Sequence, residues 1–154
     1  MTLARWILLL TLAFSFYNVG TVWLTQVSVY PLWKLVGQTD QWLPYHRAWW
    51  HSIWGVIFVP AGFALLGAIL LMFFRPPIVP AWSLWLGLGI QIITYGLTAL
   101  VWAPMQVRLD QGGGFHPEVQ QTLLQTHWGK VALITLYAVL MLWMTVVGFA
   151  GSTN

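Results

Sequence analysis

Four histidines, His46, His51, His116 and His127, are the side chains of this chain best suited to exchange a proton near neutral pH. Two of them have a cation about one helical turn away: Arg47 four residues before His51, and Lys130 three residues after His127. Spacings of three and four put such partners on one helix face. A neutral imidazole beside a cation suits removal of a proton from a weak acid, because the cation stabilises the anion left behind. The same two histidines on facing helices could instead serve as axial ligands to a haem or chlorin, with Arg47, Arg108 or Lys130 pairing with propionates. Other chemistries lack their residues. There is no cysteine, and the only acids, Asp40, Asp110 and Glu118, fall in loops or at helix ends. A carboxylate-bridged di-iron centre needs glutamates on facing helices, and a serine triad needs a buried acid. His46 and His51 are five apart, not the four that puts two metal ligands on one face, so no metal centre is expected.

The elements that position these groups must lie in lipid. Of 154 residues, 59% are hydrophobic and 6% are charged, whereas a soluble domain carries about a quarter charged residues. A span takes roughly 20 apolar residues. The pattern predicts an all-α integral membrane protein, an antiparallel up-down-up-down four-helix bundle, with spans near 5–27, 52–74, 81–103 and 122–149. No length remains for a soluble domain. The first apolar run, behind Arg5, has no A-x-A-like cleavage site and reads as a retained span. Helix one can continue to Val36, before Gly37, and Pro44 suits the start of helix two. Pro60 should kink helix two. Arg75 to Pro80 is a tight connection, Asp110 to Gly114 a flexible loop, and Pro117 with Glu118 a helix start. The termini and the proline-rich turn then share one membrane face, and all four histidines belong to the other. Arg5 and Arg75 lie at the proline face, against Lys34, Arg47, Arg108 and Lys130 at the histidine face. That excess rests on Arg47 and Lys130, which are helical, so the positive-inside count leaves orientation undecided. A net charge of +3, dispersed, gives no argument for nucleic acid. The expected setting is a bacterial inner or thylakoid-type membrane, with lipid, a lipophilic small molecule and a larger membrane complex or homo-oligomer as partners.

Helical periodicity then selects inward faces. Helix four carries Gln120, Leu124, His127, Val131 and Thr135; helix three carries Gln91, Tyr95, Thr98, Trp102 and Gln106. Helix one offers Thr11, Ser15, Asn18, Val22 and Thr25, and helix two Arg47, His51, Trp54 and Phe58. Four polar stripes predict an interior lined with hydrogen-bonding groups and open towards the histidine face. The expected reactive groups are His51, Gln106, Arg108, His127 and Lys130, with Asn18, Trp50, Trp54, Tyr95 and Trp102 walling the ligand. His46 and His116 read as solvated interface residues, and most of the twelve tryptophans as membrane anchors.

The stretch Trp102-Ala103-Pro104-Met105-Gln106-Val107-Arg108-Leu109, with Gln125-Thr126-His127-Trp128-Gly129-Lys130, resembles the small four-helix membrane family that includes the anthrone oxygenases. Gln106 stands where that family usually has asparagine, and Lys130 where it usually has arginine. The resemblance implies a metal-free, flavin-free oxygenation of an easily deprotonated phenolic carbon acid. His127 would take the proton, and Gln106, Arg108 and Lys130 would stabilise the anion. Three readings are therefore carried forward. The leading one is an oxygenase-like enzyme on a lipophilic aromatic or quinone-like substrate. The others are a haem- or chlorin-binding protein held by His51 and His127, and an accessory subunit of a respiratory or photosynthetic complex.

Overall fold

A computed structural model describes residues 2–111 and 114–150. Gly112 and Gly113 of the expected flexible loop, and the polar end 151–154, lie outside the described residues. Four long helices account for the fold: α1 (Leu3–Val36), α2 (Trp42–Phe73), α3 (Ala81–Asp110) and α4 (Pro117–Ala150). No strand occurs among the described residues. Each helix is long and apolar enough to cross a membrane, and by that measure the chain is a multi-pass membrane protein. At 1.5 Å per residue, the 34 residues of α1 or α4 reach about 50 Å, well beyond the roughly 30 Å hydrocarbon layer. Both therefore continue into the interface or past it.

Short connections make sequence neighbours pack as spatial neighbours. Along α1 and α2, Thr11 meets Gly67, Phe14 stacks on Phe63 at 5.1 Å, and Trp33 abuts Trp49 at 4.9 Å. One number rises as the other falls, so these two helices run in opposite directions. The same holds for α3 and α4, where Trp82 meets Trp143, Gly87 meets Tyr137 and Trp102 meets His127. Helices α1 and α4 close the ring, from Leu8 beside Gly148 to Gln26 bonded to Leu124. Close approach depends on Gly67: a Cβ there would strike the Thr11 hydroxyl and lie 2.9 Å from Thr11 Cβ. Small residues at such crossings let backbones pack without lipid between them.

The interior divides along the bundle axis. At the proline end Leu8, Ala64, Leu71, Val79, Met141 and Met144 form an apolar core. At the histidine end Tyr30, Trp33, Trp42, Trp102, Leu109 and Leu123 form a second, aromatic cluster.

Three helices change pitch between these clusters. A wide π turn occupies Thr25–Val29 in α1, Trp54–Phe58 in α2 and Thr98–Trp102 in α3. Each ends two residues before a proline, Pro31, Pro60 and Pro104. A proline ring has no N–H to donate and collides with the carbonyl four residues earlier. Inserting one extra residue in that turn relieves the collision without breaking the helix. Helix α4 has no internal proline and keeps a regular α pitch throughout. The kink expected at Pro60 alone is thus one of three equivalent distortions.

Candidate functional site

The π turns border a cavity, open at one side, that all four helices line. Its histidine-end wall is Tyr30, Trp49, Trp50, Trp102, Gln106 and His127. Its deep wall is Ser15, Asn18, Gln91, Tyr95 and Tyr137, and between them lie Val22, Ile53, Ile57, Phe58 and Ile134. Among the described residues no carboxylate lines it, and Lys130 is the one lysine or arginine that does.

Several hydroxyls of the polar stripes spend their hydrogen on their own helix. Thr25 donates to the Thr21 carbonyl at 2.8 Å, Thr94 to Ile90 at 2.8 Å, Thr98 to Thr94 at 2.7 Å and Ser15 to Thr11 at 2.6 Å. Such hydroxyls keep only their lone pairs for a ligand, as acceptors. Hydrogen-bonding groups line the interior, with these hydroxyls left as acceptors. Three buried polar atoms of the wall do lack a partner among the described residues: Asn18 Oδ1, Tyr95 Oη and Trp102 Nε1. Asn18 is 7% exposed and Trp102 4%. Lys130 Nζ lies 5.5 Å from the centre of the Trp102 ring. It has no ion pair or hydrogen bond among the described residues.

His127, 2% exposed, is oriented from behind. Gln26 Nε2 donates to the Leu124 carbonyl at 3.0 Å, which fixes the amide so that Gln26 Oε1 faces the imidazole. His127 Nδ1–H then donates to that oxygen at 2.8 Å. Nδ1 therefore carries the hydrogen of the neutral ring, and Nε2 keeps a lone pair. Tyr30 and Trp102 pack edge-on against the ring at 4.9 and 5.9 Å.

A second chain of bonds stands beside it. His46 Nε2–H donates to Gln106 Oε1 at 3.0 Å, and Gln106 Nε2 donates to Tyr30 Oη at 3.0 Å. Gln120 Nε2 anchors the Tyr30 carbonyl at 2.6 Å. With its oxygen already accepting from Gln106, Tyr30 is left with its own O–H to donate. Behind His46, Nδ1 lies 3.9 Å from Asp110 Oδ1, which Arg47 Nε holds at 3.0 Å.

His46 corrects the expectation of a solvated residue. It is 1% exposed, stacked on Trp42 at 4.9 Å and edge-on to Trp33 at 5.3 Å. The inner face of α2 is Trp42, His46, Trp49 and Ile53, spaced by four, three and four residues. His51, five residues past His46, is rotated by about 140° at 100° per residue, and it is exposed outside the cavity. Trp54 is likewise outside, at 56% exposure. Arg108, about 200° from Gln106, is exposed in a shallow groove with Glu118 and Thr122. His51 and His127 accordingly do not face one another. The cavity does gather Asn18, Trp50, Tyr95, Trp102, Gln106, His127 and Lys130 from the expected set. Tyr30, Gln26 and His46 were missed. The Trp-His-Trp-Ile spacing on α2 was the signal for His46, and neither Gln26 nor Tyr30 had one. Among the described residues no three histidine, aspartate or glutamate side chains come together.

Searches of protein-family models, curated proteins and solved structures find no match to this chain.

Proposed function

We propose that this chain is an oxygenase-like intramembrane enzyme whose cavity takes a lipophilic, weakly acidic aromatic or quinone-like molecule. His127 Nε2 accepts a proton from it, and Lys130 holds the resulting anion. The observation that carries this reading is a cation without a counter-ion beside a neutral base, in a cavity that no carboxylate lines. Ionisable groups at membrane depth are costly and mark ligand or proton sites. A cation 4 Å from a developing anion is worth about 4 kcal/mol at an effective dielectric near 20. That corresponds to roughly three pK units in the acidity of the bound molecule. A neutral molecule can therefore enter from lipid and ionise in place.

The resemblance to the anthrone oxygenases suggests the step that follows. An anthrone gives a ring C–H proton to Nε2, and the carbanion is delocalised onto its oxygen near Lys130. Tyr30 O–H and Trp102 Nε1–H are further donors to that oxygen. Dioxygen, supplied from the lipid, is the oxidant. One oxygen atom becomes the new carbonyl of the anthraquinone and the other leaves as water, so the methylene loses four electrons and dioxygen gains them.

The test uses purified protein in lipid nanodiscs with 1,8-dihydroxyanthrone, following oxygen uptake and anthraquinone absorbance. The expected result is catalysis over empty nanodiscs that falls at least a hundredfold in His127→Ala, the usual weight of a general base. Lys130→Met should also fall by more than tenfold. Rates equal to wild type in both variants would remove these residues from the chemistry. A Soret band in the spectrum of the purified protein would replace this reading with a haem protein.

A further inference from the structure

We infer that the cavity binds a ligand with two polar ends, the second seated at the deep wall on Asn18 and Tyr95. This rests on the reading of the cavity as a ligand site and adds to it the shape of the occupant. Three observations support it. Asn18 Oδ1 and Tyr95 Oη are both buried, both line the cavity and both lack a partner among the described residues. Asn18 is more than nine-tenths buried. An unmet polar atom in such a place is costly unless a ligand satisfies it.

The nearby hydroxyls do not compete for that role. Ser15 and Thr21 are bonded to backbone carbonyls of α1, and Tyr137 donates to the Ala64 carbonyl. The two walls are also well separated. Tyr95 and Trp102 are seven residues apart on α3, about 10 Å along the axis; Asn18 and Tyr30 are twelve apart on α1, about 18 Å. Between them the wall is Val22, Ile53, Ile57, Phe58 and Ile134, with the threonines facing their own backbone. An elongated aromatic with an acidic hydroxyl at one end and a hydrogen-bonding group at the other satisfies both walls. At the deep end it can donate to Asn18 Oδ1 and accept from Tyr95 O–H.

Two probes differing only at the far end test this: 2-hydroxyanthraquinone and 2,6-dihydroxyanthraquinone. Binding to the full chain in nanodiscs is read by quenching of tryptophan fluorescence, since Trp49, Trp50 and Trp102 line the cavity. The expected result is that the second hydroxyl tightens binding roughly three- to tenfold, the worth of one or two net hydrogen bonds. Asn18→Leu and Tyr95→Phe should each reduce that advantage, read as the ratio of the two probes' affinities within each variant. A cooperative thermal transition like that of the wild-type chain certifies that each variant is folded. Equal affinities of the two probes for the wild-type chain overturn the deep subsite but leave the cavity reading standing, provided Lys130→Met weakens both. An advantage that survives both substitutions overturns the assignment to Asn18 and Tyr95. Failure of both probes to bind overturns this inference and the proposed function together.

Discussion

Lys130 shows how a single side chain can oppose stability and serve binding. Its ammonium has the face of Trp102 for company and no carboxylate in the cavity. A cation–π contact returns about 1–2 kcal/mol, less than the several kcal/mol that removing a charge from water costs. Replacing it with an uncharged side chain of similar length should relieve that imbalance. Lys130→Met is expected to raise the thermal midpoint of the ligand-free protein while weakening 2-hydroxyanthraquinone at least tenfold. Both can be read on one detergent-solubilised sample by thermal scanning and fluorescence titration. A lowered midpoint would mean that the lysine is a structural contact. By contrast, the neighbouring His127–Gln26–Leu124 chain is fully paired at Nδ1, and its contribution is to orient a base.

At the scale of the helix, the prolines decide which residues face the cavity. On α2 the cavity takes Trp49, Ile53, Ile57 and Ala61, a run spaced four by four by four. In a regular α-helix each such step drifts by about 40°. The run stays on one side because the π turn Trp54–Phe58 absorbs an extra residue. Pro104 plays the same part on α3, between Tyr95 and Gln106. Pro104→Ala restores an N–H, allows the turn Thr98–Trp102 to close to α pitch, and turns the upper part of α3 by roughly 100° relative to Gln106. The expected outcome is a loss of more than tenfold in probe affinity with an unchanged or raised thermal midpoint. Unaltered affinity would show that the widened turn does not set the cavity wall. The same distortion limits what can be read from sequence. The faces of α1, α3 and α4 were legible from their polar residues, since Asn18, Tyr95, Trp102, Gln106, His127 and Lys130 all line the cavity. On α2 the polar residues Arg47 and His51 suggested the inner face, whereas tryptophans and His46 occupy it. Polarity was a poor guide there because indole rings pack against each other and still offer N–H groups. Gln26 and Tyr30 were not legible because their roles depend on contacts with α3 and α4, between 76 and 98 residues away in sequence.

Across the whole molecule, packing and binding occupy different ends. Leu71 and Met141 are fully buried in the core at the proline end, among Leu8, Ala64, Val79 and Met144. The cavity begins beyond Ser15, Ala61, Gln91 and Tyr137. Helices in lipid gain little from hydrophobic exclusion, so their association depends on van der Waals fit and on small residues at crossings. A dense plug at one end can therefore hold four helices together while the other end stays open enough to receive a ligand. The division predicts opposite responses to truncation. Leu71→Ala and Met141→Ala should each cost about 2 kcal/mol of stability, the low end for such cavities, read as a lower midpoint in thermal or denaturant unfolding. Probe affinity at a temperature where the protein remains folded should change less than twofold. Asn18→Leu and Tyr95→Phe should do the reverse, shifting affinity for the two-hydroxyl probe with an unchanged or raised midpoint. If truncation of the plug weakened binding as much as it lowered the midpoint, the two ends would be one cooperative unit, and the cavity would depend on the whole bundle for its shape.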